Sequence, residues 1–433
     1  MNFSEDQVLA LAPDDASRKA GSALASPGKW VSKGINELAL WGECQGSGSK
    51  PYQTQIDLQS IAFKCSCPSR KFPCKHGIGL LLLNSRQPAL FTDSTAPDWV
   101  SDWIGKRQEK AIQKEAAPAK PVDEAAQAKR QQAREESIEQ GINELLTWMK
   151  DLVRNGLLSL PEKGPAFMEE ISRRMIDAKA PGLANQLRLL SRINLYQEGW
   201  QSLFLEQLAR IYLIARGFQN RETVNPLLKE DLSSAVGITI SQEELKQQAG
   251  ITDQWLVIGK QLQEEDQITT DRTWLYGLQS GKYALVLQFI VRGQGLQFSL
   301  STGMVLQAEL VYFPSSAPLR ALIKSQQPIR EKPPIKGFSG WKEQLQYRAA
   351  RFANLPFQLE TPALVHQVRP VQYQGAWWLQ DQENHLMPLP TNYPSLWKLL
   401  ALSGGSPLDL AIVQKDDRVE PLSAFYQQEL ISL

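Results

Sequence analysis

Phe63-Lys64-Cys65-Ser66-Cys67-Pro68-Ser69-Arg70-Lys71-Phe72-Pro73-Cys74-Lys75-His76-Gly77 decides how this chain reads. Three of its four cysteines, Cys65, Cys67 and Cys74, fall here within ten residues, and His76 follows. A disulfide would have to join neighbours such as Cys65 and Cys67, whose side chains reach bridging geometry poorly. Metal ligation is the better use. Residues two apart on an extended strand point to one side. Cys65 and Cys67 can then face one ion from a strand end, with Cys74 and His76 opposite them across the 68–73 loop. Three thiolates and one imidazole fill the tetrahedral shell of Zn²⁺ at roughly 2.0–2.3 Å. No position is left for water, so a structural rather than hydrolytic metal is expected. Such sets also accept cobalt or iron; zinc is the default. Metal binding would supply much of the local folding energy. Pro68 and Pro73 stiffen the loop, and Gly77 is expected to let the chain turn into an apolar helix over 77–83.

The run resembles the SWIM zinc finger, whose pattern is C-x-C, a variable loop, then C-x-H on a scaffold of two strands and one helix. Gly46-Ser47-Gly48-Ser49-Lys50-Pro51-Tyr52 resembles the lead hairpin of bacterial members. The resemblance gives Cys65, Cys67, Cys74 and His76 the ligand roles, without departure from the motif. SWIM fingers occur in transposase-like proteins, remodeller-like helicases and signalling kinases, which implies binding to DNA or to protein. Residues 137–433 are similar to the remainder of bacterial SWIM-finger proteins. Some of those are thought to work beside MoxR-type ATPases and von Willebrand A proteins, which implies a protein partner of that kind.

At 433 residues the chain exceeds one ordinary core, and two or three domains are expected. Its 42% hydrophobic and 21% charged content is that of a globular protein, which argues against wholesale disorder. A net charge of +1 exerts no global pull on nucleic acid or membrane. The acidic N-terminus shows no secretion signal, and no apolar run is long enough to span a bilayer. A cytoplasmic protein with reduced thiols is expected.

The fold class expected is multidomain α+β: a small zinc-stapled ββα finger, a helical domain and an antiparallel β-rich C-terminal domain. Residues 1–105 hold the finger, with strands over 37–46 and 52–62. Ser4 and Pro13-Asp14 are placed to open two helices. Residues 106–136, rich in Lys, Glu, Gln and Ala, lack the apolar residues for a core and read as a flexible linker, partly helical near 125–134. Over 137–249, Ile138, Ile142, Leu145, Met149 and Leu152 recur at helical spacing behind a capping box at Ser137, as do Trp200, Phe204, Leu208, Ile211 and Ala215. Pro165 opens a helix between them and Ser241 caps a later one. From 250 to 433 short β-branched and aromatic runs alternate with Gly-rich breaks. Strands are expected over 255–260, 274–278, 283–291, 296–300, 306–313, 365–371, 376–380, 385–389 and 408–413, with a helix over 394–402.

No acidic residue stands between Asp57 and Asp93, where Lys64, Arg70, Lys71, Lys75 and Arg86 fall. Lys64, Arg70, Lys71 and Lys75 are thus candidate phosphate contacts, weighed against a solvated surface. Phe72 among them is expected to pack rather than stack on a base. Cys44 reads as a half-buried structural thiol, and His366 and His385 as satisfied structural histidines. One ring of Trp377-Trp378 reads as core, the other as a candidate partner surface. No phosphate loop, nucleophile elbow or H-E-x-x-H helix occurs. The expected function is therefore non-enzymatic: recognition of nucleic acid (DNA) or a protein through the finger. The alternatives are an adaptor for a MoxR-type ATPase and von Willebrand A protein, or an enzyme with an unrecognised site in 250–433.

Overall fold

The computed structural model describes residues 5–433 except 47, 70, 93, 117–123, 266–267, 292–297, 330–334 and 428. Two helices, α1 (Glu5–Ala10) and α2 (Asp15–Leu24), precede an antiparallel sheet of β1 (Trp30–Ile35), β2 (Ala39–Cys44), β3 (Tyr52–Asp57) and β4 (Ala62–Cys65), followed by α3 (Lys75–Arg86). The finger hairpin is thus β3–β4, with two further strands beside it. The expected 37–46 strand is β2, and β1 was not foreseen. Asp14 caps α2, accepting the Ser17 amide at 2.7 Å; Ser4 lies outside the described residues. Leu80 and Ile78 of α3 pack with Leu40, Cys44 and Ile56 on one face of the sheet. On the other, Val100 and Ile104 of α4 (Asp98–Ala116) cover Ala39 and Trp41.

Residues 106–116 therefore continue α4, and 124–136 begin α5 (Glu124–Arg154). The segment read as a linker is helical at both ends, and 117–123 lie outside the described residues. The physical reason is local: good helix formers need little core, and ion pairs tie α5 down. Arg221, nearly buried, reaches Glu135 and Glu139 at 3.0 Å each and stacks 4.1 Å from the Phe218 ring. The capping box at Ser137 is bypassed because the helix runs through it. The bundle continues with α6 (Leu160–Asp177), α7 (Pro181–Ser191), α8 (Trp200–Gln219) and α9 (Pro226–Val236), and the short α10 (Gln242–Lys246) follows. The predicted stripes Ile138 to Leu152 and Trp200 to Ala215 are buried together in one core. Gly164 breaks α6 with φ 67°, so a helical segment does start at Pro165. Ser241 caps α10 through the Glu244 amide at 3.1 Å.

The β-rich region has two parts. Strands β5 (Ile251–Glu265), β6 (Ile268–Gly277), β7 (Tyr283–Val291), β8 (Val305–Tyr312) and β9 (Arg320–Ile329) close a barrel in the order β5-β6-β7-β9-β8. Among the described residues of the barrel, only β7 and β9 pair in parallel. This is the strand order of the Greek-key OB barrel, with a long first strand that bulges between Val257 and Gly259 and pairs on both sides. Residues 298–300 are not in a strand, contrary to the expected 296–300 strand, of which 296–297 lie outside the described residues; β9 was not foreseen. After α11 (Trp341–Asn354) come β10 (Glu360–Tyr373), β11 (Ala376–Gln380), β12 (Leu386–Pro388), α12 (Leu396–Ser403), β13 (Leu408–Lys415), β14 (Arg418–Tyr426) and β15 (Glu429–Ser432). They form a six-stranded antiparallel sheet in the order β12-β11-β10-β13-β14-β15.

Two burials join these parts. Ile78, Leu80 and Leu83 of α3 share one core with Trp255, Val257 and Leu300 of the barrel. Barrel residues Trp274, Tyr276 and Tyr283 share another with Leu364, Val413 and Leu422 of the six-stranded sheet. Among the described residues no helix is long and apolar enough to cross a membrane.

Candidate metal centre

Cys65 ends β4, Cys67 lies two residues on, Cys74 caps α3 in an extended conformation and His76 sits in the helix's first turn. The second ligand pair thus converges through a helix start, not the strand spacing expected. The four ligand atoms all lie within 4.8 Å of one another. His76 Nδ1 is 3.7 Å from Cys65 Sγ and 4.0 Å from Cys74 Sγ. A tetrahedral zinc with ordinary bonds holds its ligand atoms roughly 3.5–3.8 Å apart, so the set fits zinc with a small contraction. When bound, the ion supplies a cross-link between β4, the loop and α3.

The surroundings suit thiolates. The Gly77 amide donates to the Cys74 sulfur and the Ser69 amide to that of Cys67, and the start of α3 favours negative charge. Hydrogen bonds with Cys65 and Cys74 hold the Cys67 thiol far below its ordinary value, while hydrogen bonds with Cys65 and Cys67, then burial, push Cys74 up. Burial lowers the His76 imidazole, but hydrogen bonds to Cys65 and Cys67 and their charge lift it to about 9. Zinc binding displaces protons from such a ligand set.

Gly77 has a different role from the one expected. It lies inside α3, and a Cβ there would stand 2.7 Å from Phe63 Cδ1. Phe63 can lie against the ligand turn only because residue 77 has no side chain. Phe63, Phe72 and Pro73 line a crevice against Ser299 of the barrel, and the Ser299 amide donates to the Ser60 carbonyl at 3.3 Å. Phe72 therefore packs, as expected. Cys44 is fully rather than half buried, and burial, then the nearby Cys65, pushes its thiol up.

Two further residues support the ligands. The Tyr52 ring lies 4.9 Å from that of His76. Thr54, fully buried, puts Oγ1 3.3 Å from Cys65 Sγ. A metal-bound thiolate has no proton, so Thr54 must be the donor. Strand alternation held the signal for both: β3 pairs Thr54 with Cys65, and Tyr52 shares that face. Thr54→Val keeps the shape and removes the donor. Zinc affinity is expected to fall about tenfold, read by competition with a chromogenic chelator; unchanged affinity would remove Thr54 from the site.

The cations divide. Lys64, Lys71 and Lys75 are exposed, and Arg70 lies outside the described residues. Lys64 pairs with Gln55 on β3 while its neighbour Cys65 pairs with Thr54, which puts Lys64 on the sheet face away from the metal. Lys71 meets Asp14 at 2.5 Å and Arg86 meets Glu5 at 2.7 Å. The Lys71 ammonium, then the Ser17 amide, hold the Asp14 carboxyl down to about 2. The acids missing from 58–92 in the sequence thus arrive from α1 and from the cap of α2.

A model of the SWIM zinc finger matches residues 52–84, and one of the SWIM-associated four-helix bundle domain matches residues 133–236. The chain carries both modules. No curated protein and no solved structure matches it. The finger implies zinc at Cys65, Cys67, Cys74 and His76, in a module used for protein or nucleic-acid interaction.

Proposed function

We propose that this is a non-enzymatic, cytoplasmic scaffold that recognises a protein partner, with the zinc finger as a structural staple rather than a phosphate-reading surface. The observation that carries this reading is the fate of the basic cluster. Lys71 and Arg86 are each paired with an acid, and Lys64 lies on the face away from the metal. With Lys71, Arg86 and Lys64 so placed, fewer of the cluster's cations can contact phosphate at once. The barrel supports the same reading by analogy of fold. OB barrels hold nucleic acid on strands two and three, and here Trp274, Tyr276 and Tyr283 on those strands lie beneath the chain's own six-stranded sheet. Arg272 there pairs with Glu360 at 2.5 Å.

An enzyme in 250–433 has less support. His366 Nδ1 lies 2.9 Å from Asp409, and His385 Nδ1 3.2 Å from Asp381, a carboxylate that also accepts the Trp341 amide that starts α11. Both histidines are satisfied, as expected, and among the described residues no nucleophile is bonded to either. The partner implied by the family resemblance, a MoxR-type ATPase or a von Willebrand A protein, is the first to assay.

Titration of labelled single- and double-stranded DNA at two salt concentrations tests the proposal. No saturable binding at low salt is expected, beside nuclease-resistant capture of a purified MoxR-type ATPase. Saturable DNA binding with a log–log salt slope near about −3.6, that of four phosphate contacts, would restore DNA as the ligand.

A further inference from the structure

Helix α8 is apolar on both sides. Trp200, Phe204, Leu208, Ile211, Ala215 and Phe218 point into the bundle core. On the outward side Leu205, Tyr212 and Leu213 are 43%, 42% and 45% exposed, with Ala209, also exposed, between them. Positions 205, 209, 212 and 216 follow one another at spacings of four, three and four, so they share one line along the helix. Glu206 and Leu213 flank that line. A helix that is apolar all round is normally covered all round. The neighbouring helices are not built this way. Glu144, Thr147 and Asp151 are exposed on α5, and Glu170 pairs with Arg174 on the outside of α6. Among the described residues, nothing in this chain covers the outward line of α8.

The line reads alike from either end, and that names its cover. Laid antiparallel on itself with Ala209 at the two-fold axis, Leu205 of one copy faces Leu213 of the other, and Glu206 faces Tyr212. Each contact is then made twice, as an isologous interface requires. The small side chain at the axis lets two helices approach to about 8 Å. Charge agrees with this direction. Glu206 accepts Arg210 through Oε1 alone, and Arg216 donates to Gln219 through Nη1 alone. The acid of one copy then lies one turn from Arg216 of the other, within reach of both side chains. A parallel pair would instead set Glu206 beside Glu206 and Arg216 beside Arg216, which repels.

We propose that the chain forms a two-fold homodimer in which the outward face of α8 packs antiparallel on the same face of a second copy, with Ala209 at the axis. The contact is independent of the metal centre and of what the finger recognises. It gives the assembly two copies of any partner-binding surface, so that a partner with two epitopes is held more tightly than by one chain.

Sedimentation velocity of the full chain over a concentration series tests it. A shift from monomer to dimer with rising concentration is expected. Tyr212→Glu puts a charge in place of an aromatic anchor and should raise the dissociation constant at least about tenfold. Glu206→Arg alone and Arg216→Glu alone should each weaken the dimer about tenfold, because each reversal sets like charges together at both ends of the interface. The double exchange should return it to within about threefold of the parent. All three side chains are exposed, so the fold should stand. Ala209→Cys carries the test independently: mild oxidation should join two chains through position 209, with the parent chain treated alongside as background. A monomer at every concentration, a dimer indifferent to Tyr212→Glu, no rescue by the double exchange, or no covalent dimer above background would each overturn the pairing.

Discussion

Replacing Cys74 with serine, or His76 with alanine, is expected to release the zinc and to loosen the barrel as well as the finger. One zinc per chain should be present before the change. Three remaining ligands leave an open shell of much lower affinity, and metal-binding energy is folding energy where the ligands are brought together only by the fold. β4, the loop and α3 meet at this ion, and α3 is the apolar block that both the sheet and the barrel bury against. Ile78, Leu80 and Leu83 touch the same core as Trp255 and Val257. Loss of the staple should therefore cost several kcal/mol, a fall of roughly 10 °C in the melting temperature of a unit of this size. Hydrogen exchange should rise in β5 along with β3 and β4. Zinc retained in both variants would sink the ligand assignment. Zinc lost with β5 protection unchanged would make the finger an independent module, and the shared core would then be energetically idle.

What the sequence reveals and what it hides follow from the range of each interaction. The ligand set was legible because all four residues lie within twelve positions and their chemistry is specific. The bundle stripes were legible because a helix repeats every 3.6 residues, and Ile138, Ile142, Leu145 and Met149 follow that period into the core. Strand β1 was not, because Val31 is exposed while Gly34 and Lys33 interrupt any alternation. The 106–136 segment was legible in part: the helix expected near 125–134 is there as the start of α5, while α4 also runs on through 106–116. Helical propensity and the Arg221 ion pairs hold 129–136 in the helix with little apolar burial. The basic cluster misled. Lys64, Lys71, Lys75 and Arg86 are neighbours along the chain, but a strand sends one to the far face, and Asp14 and Glu5 reach two others across more than fifty residues. Charge counted along a sequence is a one-dimensional quantity, and the field at a surface is not. Barrel closure was hidden for the same reason, since the β7–β9 pair joins residues 285 and 320 with nothing local to announce it.

The second large effect concerns the bundle, where Gly182→Ala is expected to destabilise by about 2–3 kcal/mol. Helix propensity alone predicts the reverse, since alanine in a helix is worth up to about 1 kcal/mol over glycine. Gly182 lies in the first turn of α7, and a Cβ there would stand 2.2 Å from the carbonyl oxygen of Ala235 and 2.9 Å from its carbon. Those atoms are backbone of the last turn of α9, and they cannot swing aside as a flexible side chain can. Gly237, which ends α9 at φ 110°, approaches the same place from the other side: its own Cβ would stand 2.7 Å from Pro181 and 3.0 Å from the Gly182 amide. Glycine thus faces glycine where the two helix ends cross, and α7 carries Leu183 and Leu187 into the bundle core beside that crossing. Moving the helices apart by the width of a methyl group would withdraw those leucines from contact, so steric and packing losses add. Gly105→Ala is the control, because no atom lies within 4 Å of a Cβ there and the residue sits in α4. Propensity should act unopposed in that variant and stabilise slightly. Amide exchange in α7 and α9 reads the difference. Protection should fall in Gly182→Ala and hold in Gly105→Ala, and an alanine at 182 that leaves both helices as protected as before would mean that they do not cross at this distance.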